Sequence, residues 1–464
     1  MLAVLLGPFM QSCERSGVIQ PPIDYATIDT IHFSQDVQPI LNRSCAYAGC
    51  HDAATKASGL NLTSWNGLIK GSANGEVILP ARPMRSLLTK LFDGTPQRKA
   101  HPSTPSNPIA NDEVQFLKRW ITEGAKNDAG VAPYAYSMNK LYVPNQGEDL
   151  IAVIDIDSLV VFRYIDVGVS PAIDGPHFIV ANQQNWYVSL SATGQVWKFD
   201  GHADTLVGTG RIQGSPALLA LTPDGSKLYV SQFANSRTNQ IAVMSTQTMM
   251  VSKTINVWVM PHGIRMDHTG TRLYVANMFS DNISVIDVAS DSVIATIPLA
   301  YDAQPFGSPK YMPMEIAVSP GDSILLVTCS ETREVRMFDT RSYALVDSFA
   351  VGDEPWQIQF TPDGVYSYVT NRRGNSVSVI HLPMRHVMNT ITTNSPVYFN
   401  YPHGCDVSSD GQYIFVSNEN AGHEFIPRYN PDYVGNVCVI DNLTNRIVKV
   451  LEVGYMPTGL AVIR

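Results

Sequence analysis

The sequence predicts an all-β seven-bladed β-propeller with a small α-helical domain at its N-terminus. Three observations predict it: a Tyr-Val-type phrase recurs seven times after residue 140, tight Asp-Gly turns punctuate the recurrences, and the chain from Phe33 to Ala129 lacks the phrase and reads as locally helical instead.

The recurring phrase is Leu141-Tyr-Val, Trp186-Tyr-Val, Leu228-Tyr-Val, Leu273-Tyr-Val, Leu325-Leu-Val, Ser367-Tyr-Val and Ile414-Phe-Val. A strand rich in Val and Ile follows each, as in Ile151-Ala-Val-Ile-Asp155 and Val377-Ser-Val-Ile380. A third strand then leads to a Pro-containing turn and an apolar strand. That strand commonly ends in a turn such as Thr222-Pro-Asp-Gly225 or Thr361-Pro-Asp-Gly364, where Gly supplies the positive φ a tight hairpin needs. Four strands per unit of about 46 residues is the signature of a propeller blade. The chain enters at Leu141-Tyr-Val and leaves at Gly459-Leu-Ala-Val-Ile463, so the last strand is expected to complete the first blade and close the ring. The repeats resemble the YVTN-type β-propeller family, whose phrase stands here as Tyr368-Val-Thr-Asn371. That resemblance covers 141–464; it implies a fold, and a surface scaffold more than a reaction.

Before the propeller, Ser34 is expected to cap a helix with Val37, Ile40 and Leu41 on one face, running into Cys45. A second helix is expected with Asn111 as N-cap, Asp112 and Glu113 in its first turn, Val114, Leu117, Trp120 and Ile121 on one face, and Gly124 past its end. A domain over 33–129 is too small to be secure on apolar burial alone. Residues 14–32 read as a linker, and 1–13 as a signal segment.

Cys45-Ala-Tyr-Ala-Gly-Cys50-His51 places two thiols just before an imidazole. That is the chemistry of covalent haem attachment, with the thiols adding to the vinyl groups and the histidine binding iron, here with four residues between the cysteines where two are commoner. A disulfide and a zinc half-site are the other readings, zinc having only His32 and His101 to complete it. Together with Val37-Gln-Pro-Ile-Leu41, Gly59-Leu-Asn-Leu-Thr-Ser64, Val77-Ile-Leu-Pro80, Ser86-Leu-Leu88 and Trp120-Ile-Thr-Glu-Gly-Ala125, this run resembles the planctomycete-type cytochrome c domain family. The resemblance implies a small cytochrome c domain with one haem c on Cys45 and Cys50, His51 as proximal iron ligand, and His101 as distal ligand where the family has Met-Pro. Met84 is the alternative. Two imidazoles would give a lower reduction potential than imidazole and thioether.

The residue after the inward-leading proline of each blade forms a ring: His177, Ala217, His262, Met314, Trp356, His403 and Thr458. Histidines at blades two, four and seven, with Met260, Met312 and Met456 beside them, suit a soft metal, copper above all. The alternatives are a polar rim whose histidines bond backbone carbonyls, and a docking surface for the haem edge. Cys329 and Cys438 read as small buried apolar groups, Cys405, two residues after His403, as core or as a further ligand of a metal site, and the blade-seven insertion 419–435, with His423 and Glu424, as a contact surface.

A formal charge of -9 and the absence of a basic run exclude a phosphate-neutralising surface, so nucleic acid is not an expected partner. The apolar start Met1-Leu-Ala-Val-Leu-Leu, ending at Ser12-Cys13, resembles the end of a bacterial lipoprotein signal, which implies lipidation of Cys13. A plain export signal is the alternative. Expected placement is therefore the periplasm or cell surface, with membrane contact through lipid only and a redox protein as partner. Three functions stay open: a one-electron carrier whose propeller docks its partner, an oxidoreductase with a metal or cofactor at the propeller mouth and the haem as relay, and a binding lipoprotein.

Overall fold

The structure, a computed structural model, describes residues 23–73, 75–92, 108–232, 238–299, 309–427 and 433–463. Seven four-stranded antiparallel sheets follow one another around a channel. Blade two is typical, with strands Pro176–Ala181, Asn185–Leu190, Gln195–Asp200 and Leu206–Arg211 from the channel outward. Blade one takes its innermost strand, Ala461–Val462, from the far end of the chain, pairing Leu141 with Val462 and Tyr142 with Ala461. The ring thus closes as the register of the two chain ends predicts.

Burial follows strand rank. Second strands are buried almost throughout, as in Lys227–Gln232, while fourth strands such as Val251–Asn256 are mostly exposed. The tyrosine of the recurring phrase has a defined task. Tyr142 in blade one is fully buried, and its hydroxyl donates to Asp204 Oδ1 of blade two at 2.6 Å. Tyr229 likewise reaches Asp291 of blade four, and Tyr368 reaches Asn442 and Asn445 of blade seven at 2.7 Å. An aromatic body with a polar tip fills the space between two blades and staples them together, which phenylalanine could not do.

Among the described residues four α-helices precede the propeller: α1 (Gln38–Ser44), α2 (Trp65–Ile69), α3 (Leu87–Phe92) and α4 (Asn111–Thr122). Val37, Ile40, Leu41, Leu62, Leu68, Phe116, Leu117, Trp120 and Ile121 are buried together as their core. Ile31 and Tyr25 join it, so part of the expected linker packs as domain. Both expected caps shift. Ser34 lies inside a π-turn (Phe33–Val37) that leads into α1, with His32 before it, and its N–H goes to Asp128. Ala110, not Asn111, is the N-cap of α4, because Glu113 reaches back to accept the Ala110 N–H at 2.9 Å.

The helical domain rests on blade one. Leu79 is buried among Leu141, Leu150, Ile154 and Val161, Arg82 pairs with Asp166, and Arg85 pairs with Glu148 at 2.5 Å. None of the described helices is long and apolar enough to cross a membrane.

Candidate functional sites

α1 delivers Cys45 at its C-cap, and the chain then folds back in tight turns. Cys50 N–H donates to Tyr47 O at 3.1 Å, and His51 N–H returns to Cys45 O at 3.3 Å. The four intervening residues are therefore coiled rather than stretched, and the wide spacing does not carry the thiols apart. The two sulfurs are near enough that Cys50, after burial, adds to the forces pushing the Cys45 thiol up to about 11. Neither is in a disulfide, and both are half-buried. Leu62 N–H donates to His51 O at 2.9 Å, which fastens the loop to the domain core. Two free, neighbouring thiols with an imidazole one residue on are the donor set that covalent haem needs, so these residues fit the group. His101 and Cys13 lie outside the described residues. Met84 is 67% exposed on the turn between Arg82 and Arg85, both of which are tied to the propeller.

At the propeller mouth the proline ring brings its histidines together. His177 and His403 have ring centroids 5.6 Å apart, and His177 and His262 6.5 Å. Trp356 completes a circuit of four rings, 6.0 Å from His262 and 5.4 Å from His403. His262 and His403 are buried and His177 half-buried. Burial lowers all three imidazoles: His177 to about 3, helped by His262; His262 to about 4, against a hydrogen bond from its ring to Met314 O; and His403 well below the usual range. They are neutral at neutral pH.

Each blade aims its rim residue the same way. The residue before the proline has positive φ in blades one, two, four, five, six and seven: Met456, Gly175, Met260, Met312, Glu354 and Tyr401. Its carbonyl then accepts the N–H of the residue that follows the second strand, from Gln146, Ser191, Met278, Ser330, Arg372 and Glu419 respectively. Five of these six are not glycine, and each such residue costs roughly 1–2 kcal/mol. Strain of this kind collects where surrounding structure holds a site in shape.

A second circle of side chains stands behind the histidines. Arg372 donates to both oxygens of Glu419, at 3.0 and 2.8 Å, and more loosely to Glu354 at 3.4 Å. Its guanidinium lies 5.0 Å from the Trp356 ring and 5.1 Å from that of Tyr401. Burial raises the Glu419 carboxyl, and Arg372 opposes that. Deeper on the blade-five inner strand, Glu315 is 1% exposed and pushed up to about 7 by burial, which Arg265 and Gln357 oppose.

The profile of the lactonase, seven-bladed β-propeller family matches residues 138–296 and 328–432, more than half of the chain. The chain belongs to that family. All four rings of the mouth, with Arg372 and Glu419, fall inside the matched stretches, whereas the helical domain falls outside them.

Propeller relatives outside this chain share parts of it. It is 32% identical to the seven-bladed β-propeller protein Rv1057 of Mycobacterium tuberculosis over 36% of this chain and 40% of that one. Against the protein YncE of Salmonella typhimurium the identity is 27%, over 38% and 47%. The matched region thus spans less than half the length of either relative. A 6-phosphogluconolactonase of Yersinia pestis is 22% identical over 49% of this chain and 70% of its own. Among solved structures, Kuenenia stuttgartiensis hydrazine synthase superposes with a TM-score of 0.51 at 18% identity, covering 64% of this chain and 97% of that one. A putative 6-phosphogluconolactonase from Bacteroides uniformis gives 0.53 at 12%, covering 70% and 100%. At those identities the likeness is one of fold.

The expected metal trio meets an obstacle within this lactonase-family mouth. His262 Nδ1 faces the Met314 carbonyl at 2.9 Å, so it carries the proton and Nε2 keeps its lone pair, as in metal-bound histidines. His403 is the reverse. The indole N–H of Trp356 donates to its Nε2 at 3.0 Å, which puts the proton of the neutral ring on Nδ1. Neither nitrogen of His403 then offers a lone pair, and among the described residues no three His, Cys, Asp or Glu side chains are set to hold an ion. The pairing Arg372–Glu419 and the buried Glu315 escaped sequence reading. The residue after each Tyr-Val strand, which gives Arg372 and Glu419, was the signal available. Cys329 and Cys438 are buried, as their β-runs imply, and Cys405 is buried as well.

Proposed function

We propose that the chain is a haem c electron-transfer protein in which the helical domain carries the redox group and the propeller serves as scaffold for a partner or substrate. The observation that carries this reading is the pair of free, neighbouring thiols at Cys45 and Cys50, folded back beside His51 on a half-buried loop. Cys45 and Cys50 would form the thioether links and His51 would bind the iron, with His101 as second ligand and Met84 as its alternative. When bound, haem c supplies reversible one-electron exchange at the iron. The chain's residues supply the rest: α1 and Leu62 hold the attachment loop, and Arg82 and Arg85 seat the domain on blade one. In this reading the protein works in the periplasm or at the cell surface, held to the membrane by lipid on Cys13, and exchanges electrons with a redox protein. Copper at the mouth and an oxidoreductase acting there, with the haem as relay, remain the second form of the proposal; the convergence of His177, His262, Trp356 and His403 favours it.

The test is expression of the full chain in a host with c-type maturation. A pyridine haemochrome spectrum and a mass gain of one haem that survives acid-acetone extraction are expected, with both thioether links lost in the Cys45→Ala, Cys50→Ala double variant. A chain from that host without covalent haem sinks the proposal.

A further inference from the structure

Exposed apolar side chains recur at one place in the propeller. Val207, Met250, Ile294, Leu345, Met384 and Leu443 each lie at or just past the turn from third to fourth strand, one in every blade from two to seven. All six are exposed, Leu443 by 91%, Met384 by 71% and Met250 by 69%. In blade one Tyr136 takes the place. It is 82% exposed, and Ser137 beside it donates at 2.7 Å to Asp155 Oδ2, at the end of the third strand.

Successive strands of a blade run in opposite directions, so these turns all lie on the face opposite the histidine mouth. The fourth strand is the outermost, so they lie toward the perimeter of that face. Apolar residues scattered singly over a surface need no explanation, but one per blade on one face does. The turns do not require them. In blades two, four, five and seven an aspartate ending the third strand shapes the turn: Asp200, Asp287, Asp339 and Asp441 accept the N–H groups of Ala203, Ser290, Ser342 and Thr444.

The mouth face differs. Among the described residues, the turn from second to third strand shows no large exposed apolar side chain in blades one, two, four, five and six. Gln146-Gly-Glu-Asp149 and Arg372-Arg-Gly-Asn375 are examples. Val169 and Ile173, which are exposed on that side, share a single loop. Inside the apolar ring of the opposite face, a recess of about 780 Å³ opens at the end of the channel, walled in part by Val318, Pro320, Phe360 and Ile463. A protein partner of ordinary size docks on one compact patch, whereas a ring spread over seven blades matches a broad flat surface.

We propose that the face opposite the histidine mouth rests on a zwitterionic lipid bilayer, with the turn residues entering the boundary between headgroups and acyl chains and the mouth turned toward solvent. Amphipathic surfaces bind membranes in this way through buried apolar area. The charge of -9 and the aspartates of the same turns disfavour anionic headgroups. The contact is made by the propeller's own side chains, so it depends neither on haem nor on lipid at Cys13.

The experiment is flotation of the full chain with phosphatidylcholine vesicles, the chain carrying Cys13→Ser so that no acyl chain is attached. Protein is expected in the vesicle fraction, as much at about 0.5 M salt as at about 0.1 M, because apolar burial is not screened. Phosphatidylglycerol vesicles should take up less. Met250→Gln, Met384→Gln and Leu443→Gln together alter three exposed turn residues and no buried group, and should lower the partition coefficient about tenfold or more. Val169→Gln with Ile173→Gln, on the mouth face, should leave it unchanged. Sedimentation of the same proteins without vesicles shows whether the ring joins two copies of the chain instead. Absence of flotation, equal flotation of the triple variant, an equal loss in the mouth-face variant, or self-association of the parent chain that the triple variant abolishes overturns the proposal.

Discussion

Trp356 donates its indole N–H to Nε2 of His403 at 3.0 Å, and this bond fixes which nitrogen of a buried neutral imidazole holds the proton. It separates His403 chemically from His262, whose Nδ1–H is spent on the Met314 carbonyl. Two histidines of equal rank in the ring thus present opposite faces to a visitor.

Copper therefore tests the bond directly. Replacing Trp356 with Phe releases His403 Nε2, and copper affinity should rise by roughly 10-fold or more, the scale on which partners of ligating histidines act. Calorimetric titration of the full chain, with His177→Ala plus His262→Ala as the control, separates this from binding elsewhere. Equal affinity in wild type and Trp356→Phe would mean that the indole does not govern the site.

How much of this was legible follows the distance over which each feature is encoded. The ring His177, His262, His403 and Trp356 could be read because every blade repeats proline at one place, so a local pattern carried global geometry. The contact of Arg372 with Glu419 spans 47 residues between two blades, and no local pattern announces it. The proton position on His403 depends on a hydrogen bond of the same range. The cap of α4 is hidden for a smaller reason: Glu113 reaches back to the backbone N–H of Ala110, and that reach lets alanine hold the cap position that residue type alone assigns to Asn111.

Glu315 and the mouth histidines should give pH dependences of opposite sign. Glu315 is raised from 4.5 to about 7 on folding, so the native state binds the extra proton. Stability is unaffected below about pH 4.5 and falls as pH rises to 7, by about 3 kcal/mol in all. The lowered histidines act the other way, their stability being present above 6.5 and lost as pH falls through their folded values. Glu315→Gln keeps an acceptor for the Ile316 N–H and abolishes only the first effect. Urea midpoints should be close for wild type and variant at pH 5, and higher for the variant at pH 8. A variant less stable than wild type at both pH values would show that the carboxylate is held by contacts that outweigh its desolvation.

The staple between blades one and two should be graded by what it leaves unpaired. Asp204 accepts from Tyr142, Trp186, Lys140 and Arg163, and Lys140 is 2% exposed. Tyr142→Phe removes one hydroxyl and should cost about 1 kcal/mol. Asp204→Ala leaves a buried ammonium with only the carbonyls of Gly201 and His202, and should cost about 3 kcal/mol or more. Urea unfolding followed by tryptophan fluorescence, with Trp186 packed on Tyr142, reads both variants. Equal losses would mean that the ion pair adds nothing beyond the hydroxyl.

Arg85 is expected to hold the ring shut from outside it. The closing strand Ala461–Val462 pairs through only two residues, so closure also depends on the turn before it. There Glu148 Oε1 accepts the Tyr455 N–H at 3.0 Å while Glu148 Oε2 takes the Arg85 guanidinium at 2.5 Å, and Asn145 accepts the Gly454 N–H at 2.8 Å. Arg85 also lies over the Tyr164 ring, with 5.1 Å to its centroid. The helical domain therefore steadies the one carboxylate that anchors the closing turn to blade one. Arg85→Ala should loosen that anchor by about 1 kcal/mol, the worth of a half-buried pair, and speed amide exchange at Tyr455 and Val462 about fivefold. Exchange in the blade-four strand Arg272–Asn277, on the other side of the ring, should stay unchanged. Uniform acceleration around all seven blades would point to global destabilisation, and no acceleration at Tyr455 would show that Glu148 holds the turn without help from the helical domain.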